Sequence, residues 1–373
     1  MDRRSFLTSA GGAALAASVS GVAAQVFPPS EWRGPKLMTS TTERLRAAAP
    51  GNWYADMPRG SFGHVRVGDE IFFLGGHTGQ FHCYLSSLFT NQFLAYNFRT
   101  RKWRKLRDYP FPVQSPNLVN EGSAIFAFGG YRYDEAFHFV GCDVDANGNT
   151  AQQRDTYSAR SDDQIFRFDL KTGRWERYGN MPHRRSSALA FAAGGKIYLV
   201  AGWDGTPSKR GDNKGRFHPG VDVLDVSSGK FIPYDPVLSR LRRALAGAVV
   251  NGKLVLAGGL SDQGMAMTDV SLFDPANGKF SDLAPLNESR FAPGACFTGK
   301  WLVVAGGLDF KTGLLNKVSF APPDGSAWTD NKISLDQPSM FVELEAIDDS
   351  TVLALGAFAG DSPYPLLQEI KIG

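Results

Sequence analysis

Six short apolar runs in this chain end in glycine or a glycine pair. They are Ile71-Phe72-Phe73-Leu74-Gly75-Gly76, Ile125-Phe126-Ala127-Phe128-Gly129-Gly130, Ile197-Tyr198-Leu199-Val200-Ala201-Gly202, Leu254-Val255-Leu256-Ala257-Gly258-Gly259, Leu302-Val303-Val304-Ala305-Gly306-Gly307 and Val352-Leu353-Ala354-Leu355-Gly356. A second signature follows most of them: Asn or Asp, a turn, and an aromatic residue six positions on. It reads Asn97 to Trp103, Asp169 to Trp175, Asp225 to Phe231 and Asp274 to Phe280, while Pro322 to Trp328 keeps the spacing without the acid. Asn251-Gly252, Val67-Gly68 and Thr298-Gly299 supply hairpin turns. No helical period persists, and the pattern predicts short strands at close spacing, repeated six times.

These residues resemble the kelch repeat. In that family each repeat is one four-stranded propeller blade: strand b ends in Gly-Gly, strand c ends near an Asp, and strand d begins with Trp. The resemblance covers residues 53–373 and implies an all-β fold, a six-bladed kelch-type propeller. Ala201-Gly202 and Gly356-Ala357 depart from the glycine pair but keep small residues. After the sixth run comes one further strand, Leu366 to Ile372, while Trp53-Tyr54-Ala55-Asp56-Met57-Pro58 looks like a strand d without a blade. The expectation is that Trp53–Pro58 completes blade 6 and closes the ring, with residues 25–52 an extended lead-in. Closure removes exposed strand edges.

The first residues read as an export signal. Asp2-Arg3-Arg4-Ser5-Phe6-Leu7 precedes a mild apolar stretch, Ala10 to Ala24, that ends in the small residues Val22-Ala23-Ala24. The paired arginines resemble a twin-arginine signal, which implies a periplasmic protein. The apolar run is shorter than the ~20 residues of a spanning helix, so no membrane span is expected after cleavage. Composition narrows the class further. Lys plus Arg is 40 against 37 Asp plus Glu, a balance that argues against nucleic-acid binding. Three cysteines exclude a disulfide scaffold. A monomer is expected.

The repeat locates the candidate sites. From strand-b glycine to strand-d aromatic, blades 4 and 5 take 22 residues, whereas blades 1, 2 and 3 take 28, 46 and 30. The surplus falls in b–c loops, which share one face, where binding residues usually sit. The insertions carry His77, His82, Cys83, His138, Cys142 and His218, and they read either as a functional lid or as loop decoration. Sixteen residues before the strand-b glycines stand Arg59, Val113, Arg185, Arg242, Arg290 and Met340. In kelch repeats an Arg here lies at the channel mouth. Arg59, Arg185, Arg242 and Arg290 either tie blades together through loop carbonyls or form an anion site. Cys83 and Cys142 suit a disulfide in an oxidising compartment, with free thiols or a Cys/His metal site as alternatives. Cys296, on a strand a, reads as a buried thiol.

Two weaker constellations remain. Asp143, Asp145 and Asn147 match the first half of a calcium loop, but Arg154 stands where the bidentate acid belongs; a plain polar turn competes with calcium. On strands a of blades 1 and 6, His64, Arg66, Glu343 and Glu345 share a parity and suit either an acid–base site or a solvated ion-pair cluster. The reading is an exported propeller that binds a small anionic or carbohydrate ligand, or a protein partner, on its loop-rich face. The alternative is an enzyme of the sugar-acid mutarotase or epimerase kind, an activity the resemblance allows. Copper oxidase chemistry of the galactose-oxidase type is set aside: no His follows His218, and only Tyr234 and Tyr364 remain in the second half.

Overall fold

The structure, a computed structural model, describes residues 37–42, 58–81, 84, 86–134, 139–144, 150–157, 159–207 and 215–372. Six four-stranded antiparallel sheets succeed one another as the blades of a propeller. The innermost strands a are Gly63–Val67, Asn117–Glu121, Leu189–Ala193, Ala246–Val250, Gly294–Phe297 and Glu343–Asp348. Strands b are almost wholly buried because they lie mid-sheet between two neighbouring blades; Ile71, Ile125, Leu199, Leu256 and Val303 are each 0% exposed. That accounts for their unbroken apolar runs.

Blade 6 is built from both ends of the chain. Glu343–Asp348, Thr351–Ala359 and Ser362–Ile372 are its first three strands, and Leu37–Thr42 pairs antiparallel on the outside, Ser40 opposite Ile370 and Thr42 opposite Gln368. Ring closure by an N-terminal strand is therefore observed, but the strand is not Trp53–Pro58. Trp53–Met57 lie outside the described residues, and Pro58 is in no strand. Chain length explains the difference. Between strand d of one blade and strand a of the next, the other links contain 8 to 13 residues. Only four would separate Pro58 from Gly63. The sequence Met-Thr-Ser-Thr-Thr is rich in β-branched residues and suits an outer strand.

The glycine pairs mark where blades meet. A Cβ on Gly75 would lie 2.1 Å from the carbonyl oxygen of Val113 in the next blade, and one on Gly129 would lie 2.3 Å from that of Arg185. The second residue of each pair donates across the same contact: Gly76 N to Val113 O at 2.8 Å, Gly130 N to Arg185 O at 3.0 Å, Gly202 N to Arg242 O at 3.0 Å, Gly259 N to Arg290 O at 2.8 Å and Gly307 N to Ser339 O at 2.8 Å. A side chain larger than a methyl at the first position would separate the blades; Ala201 holds this place at φ 58° and the Gly202–Arg242 bond still forms. Ser339, not Met340, is thus the sixth equivalent position. A register shift in strand b of blade 6, between Leu355 and Ala357, moves the count by one.

The second signature is also structural. The Asn97, Asp169, Asp225 and Asp274 side chains accept backbone N–H groups two or three residues on and shape the c–d turns. At Asp225 the Ser227 hydroxyl, with the N–H and hydroxyl of Ser228, holds the carboxyl down at about 2. The strand-d tryptophans tie back to the preceding blade, with Trp175 Nε1 donating to Arg107 O at 3.1 Å and Trp328 Nε1 to Ala284 O at 2.9 Å.

The closing strand gives a direct test. A chain starting at residue 43 should melt several degrees below one starting at residue 37 and should aggregate, because the outer edge of Ser362–Ile372 is left open. Equal melting curves and equal elution on gel filtration would refute closure by Leu37–Thr42.

Candidate functional site

Arg59, Arg185, Arg242 and Arg290 are at most 1% exposed. Each occupies the approach to a strand a, at the inter-blade contact, and folds back on its own blade. Arg290 is representative: Nη1 donates to Gly306 O at 2.9 Å and Lys317 O at 3.1 Å, and Nη2 to Ser319 Oγ at 2.7 Å. Arg242 repeats this with Gly258 O, Asp269 O and Ser271 Oγ. Arg59 reaches Gly75 O and Gln92 Oε1; Arg185 reaches Ala201 O and Asp222 Oδ2 at 2.8 Å. These are staples. The backbone carbonyls of Arg185, Arg242 and Arg290 take the N–H of the previous blade, while their guanidinium groups bind carbonyls of their own. The expected location at an open, ligand-facing site is corrected: the inter-blade contact buries all four and spends their Nη donors internally. Burial depresses the pKa of Arg185, Arg242 and Arg290, and takes Arg242 down to about 10.

Below the loop face a cavity of about 630 Å³ runs along the axis between the strands a. Its throat is a ring of six residues with left-handed backbone, one per blade: Ser61, Ser115, Ser187, Ala244, Ala292 and Phe341, with φ between 47° and 54°. Backbone bonds join neighbours in this ring, from Ala244 N to Ser187 O, Ala292 N to Ala244 O and Phe341 N to Ala292 O, at 2.7 to 2.9 Å. Left-handed backbone strains a bulky residue such as Phe341, and the ring of bonds holds it there.

Deeper in the cavity the structure brings His64, Glu343 and Glu345 together across the seam between blades 1 and 6. His64 Nδ1 lies 3.2 Å from Glu343 Oε2, and Nε2 lies 3.6 Å from Glu345 Oε2. Burial opposes protonation of the ring, but hydrogen bonding and charge from Glu343, with the charge of Glu345, outweigh it and raise the pKa. Burial likewise raises the Glu345 carboxyl, against the pull of His64 and Arg66. Arg66 turns aside: Nη1 donates to Ala346 O, Nε to Gly68 O at 2.9 Å, and the guanidinium stacks 4.9 Å from the Phe98 ring. So His64, Glu343 and Glu345 form one ion-pair cluster, and Arg66 helps fasten the seam.

The loop face carries a feature that the sequence reading passed over. The residue after each strand-b glycine pair, or its equivalent, is His77, Tyr131, Trp203, Leu260, Leu308 or Phe358. Each bridges back to the approach of its own strand a and so rims the mouth. Rings connect them around the axis. Trp203 stacks on Tyr131 at 6.5 Å, Tyr131 meets Tyr84 at 5.5 Å, Tyr84 meets His77 at 5.8 Å, and His77 meets Phe358 at 5.9 Å. Phe81, from the blade 1 insertion, packs on Phe358 at 5.4 Å and Phe341 at 5.6 Å. Its N–H donates to Asp361 O at 2.8 Å, so this loop crosses onto blade 6. The gap is closed from blade 4 by Arg243, whose guanidinium sits 4.1 Å over the Trp203 ring. The collar was legible as the position after Gly-Gly; that its rings touch was not.

A second, smaller site lies at blade 3. His183 Nδ1 bonds Asp222 Oδ1 at 3.0 Å, and the ring stands 5.5 Å from that of His218. His218 Nε2 is paired with Arg184 O at 2.8 Å, and burial and the nearby Arg185 charge push its pKa down to about 4.

The remaining expectations fall largely elsewhere. Cys83 lies outside the described residues, as do Asp145, Asn147, His82 and His138, so neither the Cys83–Cys142 disulfide nor the calcium loop is described. Asp143 and Cys142 belong to strand Phe139–Val144, which forms a hairpin with Thr150–Tyr157. Cys296 is a buried free thiol, raised well above the usual range by burial and then by Glu345. Among the described residues no three His, Cys, Asp or Glu side chains are arranged to hold a metal.

Two measurements test this geometry. Arg290→Met leaves two carbonyls and a hydroxyl without their donor, and should cost on the order of 3 kcal/mol in urea unfolding; a loss under about 0.5 kcal/mol would refute the staple. The His64 pKa is raised in the fold, so its stabilising effect is complete below about pH 6.5 and fades as pH rises through the folded value. The melting-temperature advantage of wild type over His64→Gln should therefore shrink from pH 5.5 to 8.5. A constant difference would contradict the seam pairing.

Comparison with known proteins agrees with the architecture. The family model described as the Kelch motif matches residues 241–287. Kelch-like protein 25 of Xenopus tropicalis is 29% identical over 171 residues, which is 39% of this chain and 29% of that protein. Kelch domain-containing protein 8B of Rattus norvegicus is 27% identical over 144 residues, 38% of this chain and 40% of that protein. This chain therefore covers well under half the length of either relative. The matched motif falls on blade 4, and the fold is a six-bladed β-propeller of the kelch type.

Proposed function

We propose that this propeller is a binding module that receives a small anionic or carbohydrate ligand, or a protein partner, at the loop-face mouth of its channel. The collar of rings carries the reading. Phe81, Tyr84, Trp203, Leu260 and Phe341 are only half-buried, and aromatic side chains grouped on one face around an opening are characteristic of recognition surfaces. The buried staples give that face a rigid base. We also propose that the chain works in the periplasm after twin-arginine export, on the strength of Arg3-Arg4 and the apolar stretch behind them. Among the described residues no helix is long and apolar enough to cross a membrane.

A second reading, a proton-transfer enzyme acting on sugar acids, is favoured by one observation: His64 stands between two carboxyl groups in the wall of the cavity. The two readings separate by experiment. Binding at the mouth should be lost in Phe81→Asp and kept in His64→Gln, measured by calorimetry against any ligand or partner that a thermal-shift screen returns. Faster anomer exchange in NMR, abolished by His64→Gln and untouched by Phe81→Asp, would instead establish the enzyme.

A further inference from the structure

Among the described residues the five buried arginines, Arg59, Arg160, Arg185, Arg242 and Arg290, each donate to a carbonyl or to an oxygen-bearing side chain of the protein. Arg243 differs. It is half-buried on the loop face, in the short strand Arg242–Arg243, directly before the throat residue Ala244. Its Nε is buried without a hydrogen-bond partner, as are those of Arg185, Arg242 and Arg290, but unlike theirs its Nη groups make no hydrogen bond among the described residues and no carboxylate pairs with it. What holds it is the Trp203 ring, 4.1 Å away. The indole is itself wedged: a Cβ on Gly215 would lie 2.1 Å from it and one on Gly205 2.8 Å. Burial pulls the guanidinium pKa down, and the titratable groups that act on it, the phenols of Tyr84 and Tyr131, are held neutral by burial and so supply no countercharge. A fixed, partly desolvated guanidinium with its fork unspent matches a planar carboxylate.

We infer that Arg243 is the anchor for the carboxylate of a small aromatic acid, whose ring lies among the aromatic side chains of the mouth. The inference rests on the loop-face reading above and names its ligand class. The body of the ligand follows from the surroundings. Beside the guanidinium the mouth offers Tyr84, Trp203, Phe81 and Leu260, which favour a flat apolar body over a polyhydroxylated one.

Calorimetry on the full chain tests this with 4-hydroxybenzoate and phenylacetate, against 4-hydroxybenzamide and glucuronate as controls. Both aromatic acids should bind, and the neutral amide and glucuronate should bind at least about tenfold more weakly. Arg243→Gln and Arg243→Lys should each weaken the acids about tenfold and leave the amide unchanged, the lysine variant because a point charge replaces the fork. Using both variants separates loss of the anchor from loss of folding, and each should melt with wild type. The inference is overturned if no aromatic acid binds at millimolar concentration, if the amide binds as well as the acid, or if both variants retain wild-type affinity. Phe81→Asp distinguishes the failures. Acid binding that survives Arg243→Gln but not Phe81→Asp leaves the loop-face reading standing and removes Arg243; binding that survives both removes both.

Discussion

The structure depends on the close approach of each strand-b glycine to the backbone of the next blade. At Gly75, Gly129, Gly258 and Gly306 a carbonyl oxygen of the neighbouring blade lies where a Cβ would be, at 2.1 to 2.7 Å. That approach admits the N–H bond from the second residue of the pair and buries the segment that supplies the carbonyl. A buried segment brings carbonyls of its own that need donors, because an unpaired buried polar group costs roughly 1–3 kcal/mol. Arginine answers this need with several N–H groups on one side chain. Glycine pair and arginine are thus two halves of one device. The device holds the blades at a spacing that leaves an axial cavity rather than a filled core.

The fold was largely legible because this device repeats. Six glycine signatures in register identified the blades, and the Asp-to-aromatic spacing identified the c–d turns. What failed was information carried by one copy only. The closing strand Leu37–Thr42 lacks the strand-d tryptophan, so the pattern pointed to Trp53, although too few residues follow Trp53 to reach strand a. The sixth staple position was displaced by one because a bulge between Leu355 and Ala357 cannot be seen in an ungapped count.

The candidate sites were legible by position and misjudged by environment. The arginine offset was correct, but spacing does not report burial; the four arginines are interior and spend their Nη donors on the protein. Parity alone brought His64, Glu343 and Glu345 to one wall, and the structure places them within ion-pair distance. Arg243 looked like a neighbour of Arg242. Its distinction, an aromatic platform in place of an acid, depends on Trp203 of another blade and so lies beyond any one-dimensional reading. A charge gradient results along the axis, with the Arg243 cation at the loop-face opening and the carboxyl groups of blade 6 deeper within.

Hydrogen exchange on the full chain, with and without saturating 4-hydroxybenzoate, tests most directly whether recognition occurs at the loop-face mouth. Protection is predicted in the segments that follow the glycine pairs, around residues 77–81, 131–133, 203–207 and 243–245, with the a–b turns at 67–70, 122–124 and 251–253 unchanged. Protection at those a–b turns, with none at the mouth, would contradict the account.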